Sequence, residues 1–341
     1  MQPVRRAAFG LVAVGATALA LSALAPTFAA FASRTANEGN VVQAASDFRA
    51  PAVGTVAIAK AAGGSAGFVK AGGEYFVYAN VAADTGAPAS GIASVKANVN
   101  ALTSGSTAVS MSAGSFTADK VSYGYRSAAL AASAVAEGVK AFTVTATDVA
   151  GNANTKEGSV TVDNTAPKSS DVQTTNVGGG TTGLAEQGDT LVFSFSEPVE
   201  PALILAGWDG SATSVVVRVN DNGLLGLPAG NDSVQVWNAA NSTVLPLGTV
   251  DLGRSDYASG VLGGSFRFGA TGTPSTMTMS GSTVTVTFGT YNSTIIVDAA
   301  RGIAAGTGTM VWTPVATPYD RAANTMATTT ASESGAADKD L

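Results

Sequence analysis

The chain repeats itself, and that constrains its fold more than any other feature. Asp47-x-x-Ala-Pro51 returns as Asp163-x-x-Ala-Pro167. Sixteen residues beyond each proline stands a glycine, Gly67 or Gly183, and five further on another, Gly72 or Gly188. Strand-like runs follow, Tyr75-Phe76-Val77-Tyr78 in the first copy and Leu191-Val192-Phe193-Ser194-Phe195 in the second. Each copy closes on Asp-x-Ala-[Gly/Ala]-Asn, at Asp148–Asn152 and at Asp320–Asn324. Matched offsets of this kind imply two tandem domains, 51–163 and 164–341.

The pattern inside each copy is that of pleated sheet. With 40 Gly in 341 residues, long helices are disfavoured and turns are many. Short runs of Val and Thr suit half-buried strands. In the first copy strands are expected at 53–60, 74–82, 92–99, 107–112, 120–131, 139–147 and 158–162. Phe142, Val144 and Ala146 alternate with Thr143, Thr145 and Thr147, the period of a strand with one buried face. Ala128–Ala136 would also suit a helical turn. The second copy is longer and holds all three tryptophans, Trp208, Trp237 and Trp312. Strands are expected there at 213–219, 233–237 and 244–250, with a hairpin at 276–279/283–288. The fold class is all-β, two sandwiches, the second elaborated.

Charge and missing residue types narrow the chemistry. The net charge is −6 with only 12% charged residues, which disfavours a phosphate-backbone partner, so no nucleic acid is expected. The chain has no Cys and no His. Disulfides, thiolate metal sites, thiol nucleophiles, Ser-His-Asp relays and imidazole ligands are therefore excluded. Carboxylate pairs remain, such as Glu197 with Asp320 or Asp251 with Asp256. Acids on loops ordinarily shape turns, and no enzyme activity is expected. Gly178-x-Gly180-x-x-Gly183 matches a dinucleotide fingerprint in form, but no helical pattern follows it. Asp221–Asp232 reads as a hairpin loop or, alternatively, a cation clasp, and Trp208 as a core residue or a sugar-stacking platform.

Residues 1–32 read as a signal peptide: Arg5-Arg6, an apolar run from Ala7 to Ala25, then Ala30-Phe31-Ala32 before Ser33. Uncleaved, the same run would anchor the chain in a membrane; otherwise the protein is expected to be secreted or extracellular. The C-terminus carries no apolar tail, and no anchor is expected there. Ala30-Phe31-Ala32-Ser33 through Asn37-Glu38-Gly39-Asn40 to Ala45-Ser46-Asp47 resembles the start of camelysin/TasA-type matrix proteins. That resemblance implies a segment, 33–50, able to pair as a donated strand in self-assembly; read without it, the segment is a linker.

Phe142-Thr-Val-Thr-Ala-Thr-Asp-Val-Ala-Gly-Asn152, followed by Val160-Thr-Val-Asp-Asn-Thr-Ala-Pro167, resembles the immunoglobulin-like repeats of bacterial surface adhesins. Phe193-Ser-Phe-Ser-Glu-Pro-Val199 is similar to a strand of S-layer-type immunoglobulin-like domains. The second closing motif departs from the pattern, with Ala323 where Gly is usual. The resemblance implies two tandem immunoglobulin-like sandwiches in a structural or adhesive surface protein, whose partner is an extracellular polymer, a glycan or a neighbouring surface protein. The alternative function is a carbohydrate-binding or enzyme-accessory module centred on the second domain. In such a topology the first strand's start, the B–C loop and the F–G turn meet at one end. Those elements hold Asp47, Asp84, Asp148 and Asn152 in the first domain, and Asp163, Glu197, Asp320 and Asn324 in the second. Hard oxygens on loops suit calcium, which the adhesin resemblance also implies at domain junctions. Alternatively Asp47 and Asp163 initiate turns, and Asp148 and Asn152 shape a tight one.

Overall fold

The computed structural model describes residues 47–61, 65–85, 89–133, 135–223, 230–260, 264–293, 299–339 and 341. The leader, residues 33–46 of the candidate donated strand, and 224–229 of the Asp221–Asp232 loop lie outside that set. Among the described residues no helix is long and apolar enough to cross a membrane.

The protein is all-β, built on two large sheets. The first comprises β1 (Ala52–Lys60), β2 (Phe68–Val69), β3 (Glu74–Ala82), β4 (Ile92–Asn98) and β5 (Val109–Ala118). It continues with β6 (Val121–Ser127), β7 (Leu130–Ala131), β8 (Gly138–Asp148) and β9 (Ala153–Val162). Strand order is β1-β3-β6-β5-β4-β8-β9-β2, with β7 paired to β3. Strand β5 turns the sheet back on itself: Val109 and Ser110 pair with β4, and Met111 onward with β6. Ile58, Tyr75 and Val77 from one layer meet Val95, Phe142, Val144 and Val160 from the other.

The expected alternation in β8 is present, with Phe142, Val144 and Ala146 buried and the intervening threonines half-exposed. Gly158, opposite Phe142 in the ladder, lets the ring lie across its backbone; a Cβ there would come within 2.4 Å of the ring. Strand β5 runs past its expected end to Ala118 and turns at Asp119-Lys120, both with positive φ, which matches hairpin twist without glycine. No helix forms over the described part of Ala128–Ala136; Leu130–Ala131 pairs with Glu74 and Tyr75 instead.

The second half of the chain holds the second large sheet and a small separate one, and comprises β10 (Ser169–Thr175), β11 (Thr190–Phe195), β12 (Thr213–Asp221), β13 (Ser233–Asn238), β14 (Thr249–Asp251), β15 (Ala258–Ser259) and β16 (Gly264–Phe268). Then come β17 (Ser275–Ser280), β18 (Thr283–Thr287), β19 (Tyr291–Asn292), β20 (Ala300–Arg301), β21 (Val311–Thr313) and β22 (Ala331–Ser332). The main path of the large sheet is β10-β11-β18-β17-β12-β13-β14-β21-β22, and β15 and β20 pair separately. One short helix, α1 (Pro201–Ile204), follows β11. The hairpins β12/β13 and β17/β18 form as expected. Of the strand expected over 244–250 only its end is regular, because Pro246 offers no N–H and Gly248 takes φ 84°.

Trp312 centres the second core. Phe193 and Phe195 meet it edge-on at 5.1 and 5.0 Å between centroids, and its Nε1–H donates to Leu247 O at 2.6 Å. Trp208 is also buried, its Nε1–H donating to Ser211 O. Trp312→Ala should cost about 3–5 kcal/mol, since it empties a core without disulfides to support it. Trp312→Phe should cost less, keeping ring area but losing the hydrogen bond. Denaturant titration of the three proteins checks the order.

Candidate functional site

Both Asp-x-Ala-x-Asn motifs fold into the same braced turn. In the first, Asp148 Oδ1 accepts from Asn152 N (2.7 Å) and Oδ2 from Asn152 Nδ2 (2.8 Å). In the second, Asp320 accepts from Asn324 N and Nδ2, each at 2.7 Å. The same asparagine amide then reaches the entry to the first strand: Asn152 Nδ2 donates to Asp47 O (3.1 Å), and Asn324 Nδ2 to Asp163 O (2.9 Å). Asp47 and Asp163 each accept the backbone N–H two residues on, from Arg49 and Thr165. The turn-forming roles of these residues are thus present in both domains.

The two ends differ in the third element. Ile92 pairs with Asp148, and Val199 with Asp320. Two residues before each of these stand Ser90 and Glu197. Ser90 N donates to Asp47 Oδ2 at 2.8 Å, satisfying that oxygen without adding a third acid. A carboxylate in that place produces the group Asp163, Glu197 and Asp320, whose oxygens lie within 4.8 Å of one another. No other such grouping occurs among the described residues. Asp84, expected to complete the first-domain set, is not gathered with Asp47 and Asp148; both its oxygens are enclosed without a hydrogen-bond partner. What sequence reading missed is that Ser90 occupies the position; its distance before Ile92, matched to Glu197 before Val199, was the available signal.

The acidic group is electrostatically strained. Burial and the neighbouring charges of Asp163 and Asp320 push the Glu197 carboxyl up to about 7. Its Oε1 is enclosed and has no hydrogen-bond partner. Burial also raises Asp320, against the lowering effect of its bonds from Asn324.

The site lies at the seam between the sandwiches. Lys60 Nζ donates to Ala322 O (2.5 Å) and Lys70 Nζ to Ala323 O (2.8 Å), so two first-domain ammonium groups grip the second domain's turn. Burial and Lys70 depress the Lys60 ammonium. Ser65 N donates to Arg321 O, and the Arg321 guanidinium lies over the Phe68 ring. Asn164 accepts from Ala71 N at 2.7 Å and donates to Val135 O, and Thr165 Oγ1 donates to Glu137.

Other sequence candidates resolve into turn chemistry. Asp256 pairs with Arg254 at 2.5 Å, and Asp251 accepts from Gly253 N, so those two acids are engaged separately. Gly178–Gly183 opens no helix; Asp189 closes that loop by accepting from Val177 N and Glu186 N. Trp208, 6% exposed, presents no stacking platform. No protein-family model matches the sequence, and no curated protein matches it either.

The raised Glu197 carboxyl sets a direction for stability. The folded protein holds that proton between about 4.5 and about 7, where the unfolded chain has released it. The Glu197 contribution therefore falls as pH rises through this window, and the penalty is complete above it. Glu197→Gln should melt higher than the parent near pH 8 and converge with it near pH 4.5. Melting curves across that range check the sign. A second expectation concerns Ala323, held at φ 60° where the first domain has Gly151 at φ 95°. Ala323→Gly should stabilise by about 0.5–1 kcal/mol by relieving left-handed strain, and Gly151→Ala should destabilise.

Proposed function

We propose that this is a non-catalytic structural or adhesive protein of the cell exterior, a pair of immunoglobulin-like modules stiffened at their junction by calcium. The carrying observation is the grouping of Asp163, Glu197 and Asp320 at the seam between two repeated sandwiches. Three carboxylates this close repel one another unless a proton or a cation is shared among them. The first-domain lysines direct their ammonium groups at turn carbonyls. Calcium takes hard oxygens from carboxylates and loop carbonyls in flexible geometry, and the three acids come from three separate loops. A cation there would join the linker, the B–C loop and the F–G turn of the second domain, directly beneath the contacts to the first. The reading draws further support from the secretory pattern of residues 1–32 and from a sequence without His or Cys.

Protons and calcium compete for Glu197, which fixes the test. Near pH 8, calcium should raise the melting temperature relative to chelator, and the gain should shrink toward pH 5.5. Asp163→Asn/Glu197→Gln should melt alike with calcium and with chelator. Identical parent curves under both conditions at pH 8 would remove calcium from the reading. Fractionation of the producing cells tests the location: protein found only in the cytosol would overturn it.

A further inference from the structure

The seam inside the chain is built from two surfaces, and the repeat supplies each of them a second time. One is the tip of the second domain, where Asn164 and Arg321 follow the two braced aspartates. The other is the far end of the first domain, with Lys60, Phe68, Lys70 and Ala71. The repeat holds its offset in backbone conformation as well as sequence. Gly67 and Gly183 both have φ 85°, and Gly72 and Gly188 both have positive φ. The first domain therefore carries its own tip, and the second its own far end; among the described residues no second sandwich is seated on either, and at the far end Gly183 N donates to the carbonyl of Leu341.

We propose that copies of this chain stack end to end, the first-domain tip of one seated on the far end of the second domain of the next. The contact positions of the internal seam identify the residues. Where Asn164 and Arg321 stand at the occupied tip, the first-domain tip has Phe48 and Val149, 73% and 70% exposed. Two large apolar side chains are thus held in water on rigidly braced loops, at the positions that make contact in the other copy. The opposing surface has changed in the same sense. Phe68, which lies under Arg321, has Leu184 as its counterpart, half-buried. Ile303, 56% exposed, lies beside Ala304, whose N–H donates to Gly183 O. A cation–ring contact in the internal seam thus becomes an apolar pair, Val149 against Leu184 and Ile303.

The counterparts of Lys70 and Ala71, Glu186 and Gln187, line an open cleft of about 490 Å³ at this end, at the position that Phe48 would face. Lys60 and Lys70 are replaced by Asn176 and Glu186, so the paired lysine bonds to the turn are not reproduced. Contact between copies is therefore weaker than the tethered internal seam and is governed by concentration. Because the two surfaces differ and sit at opposite ends, the contact is heterologous and generates an open row of modules.

This inference extends the structural-module reading to its partner, a second copy of the chain, and does not require calcium. Its test is sedimentation velocity of the full-length protein with Val149→Arg and Ile303→Arg variants, after melting curves confirm that both fold like the parent. The parent should form dimers and longer species as concentration rises. Each variant alone should remain monomeric, since each lacks one of the two surfaces. Mixed, they should form one-to-one dimers and nothing longer, because the intact tip of Ile303→Arg meets the intact far end of Val149→Arg. A parent monomeric at every concentration overturns the proposal. So does association that persists in both variants, which would arise from open strand edges or residues 33–46. If either variant unfolds, Phe48→Ser and Leu184→Ser replace them with the same expected pattern.

Discussion

The structure depends on one small interaction made twice, the asparagine amide that ties the F–G turn to the carbonyl of the aspartate at the start of the domain. Through Asn152 and Asn324 the last loop of each domain is fixed to its first strand, closing the end of the sheet that the chain enters. The amide is held by two oxygens, one from the turn and one from the entry segment. Rotating it away would leave polar groups unsatisfied in a mostly buried place. With no disulfide in the chain, these braces and the two cores carry the rigidity.

Fixing the entry segment to the closing turn in this way has an electrostatic consequence. The brace brings the opening and closing aspartates together, and the residue two before the partner strand decides what they face. With Ser90 there, the backbone N–H satisfies an Asp47 oxygen and no third carboxylate joins the end. With Glu197 there, three acids converge and the glutamate holds its proton near neutral pH. One position thus separates a cap with two acids from a group of three, and it occurs at the end that touches the other domain.

The junction also shows how a repeat can be specialised without altering its scaffold. Backbone geometry at the paired glycines and braced turns is preserved, while the residues immediately after the two aspartates change character. Asn164 and Arg321 make polar contacts inside the chain; Phe48 and Val149 stand exposed. Side chains at these positions point away from the brace, so they vary without disturbing it.

Much of the fold was legible in the sequence. The two-fold repeat, the all-β class, the alternation in β8 and the main hairpins follow from spacing, period and turn residues, which act locally and leave marks in the chain. Strand ends were less legible where a proline, or a turn with positive φ at non-glycine residues, set the limit. Asp163 and Asp320 of the second-domain site were recognisable because the motif repeats, and their roles in bracing the turn followed from residue type. Only the tertiary structure decided that Asp84 stays apart and that Ser90 answers to Glu197, because the B–C loops differ in length and only strand pairing fixes their register. It also decided that Trp208 is buried, since a tryptophan reads alike in sequence whether a core closes over it or not. Spacing determines which residues can share an end of a sandwich; packing determines which oxygens and rings meet there.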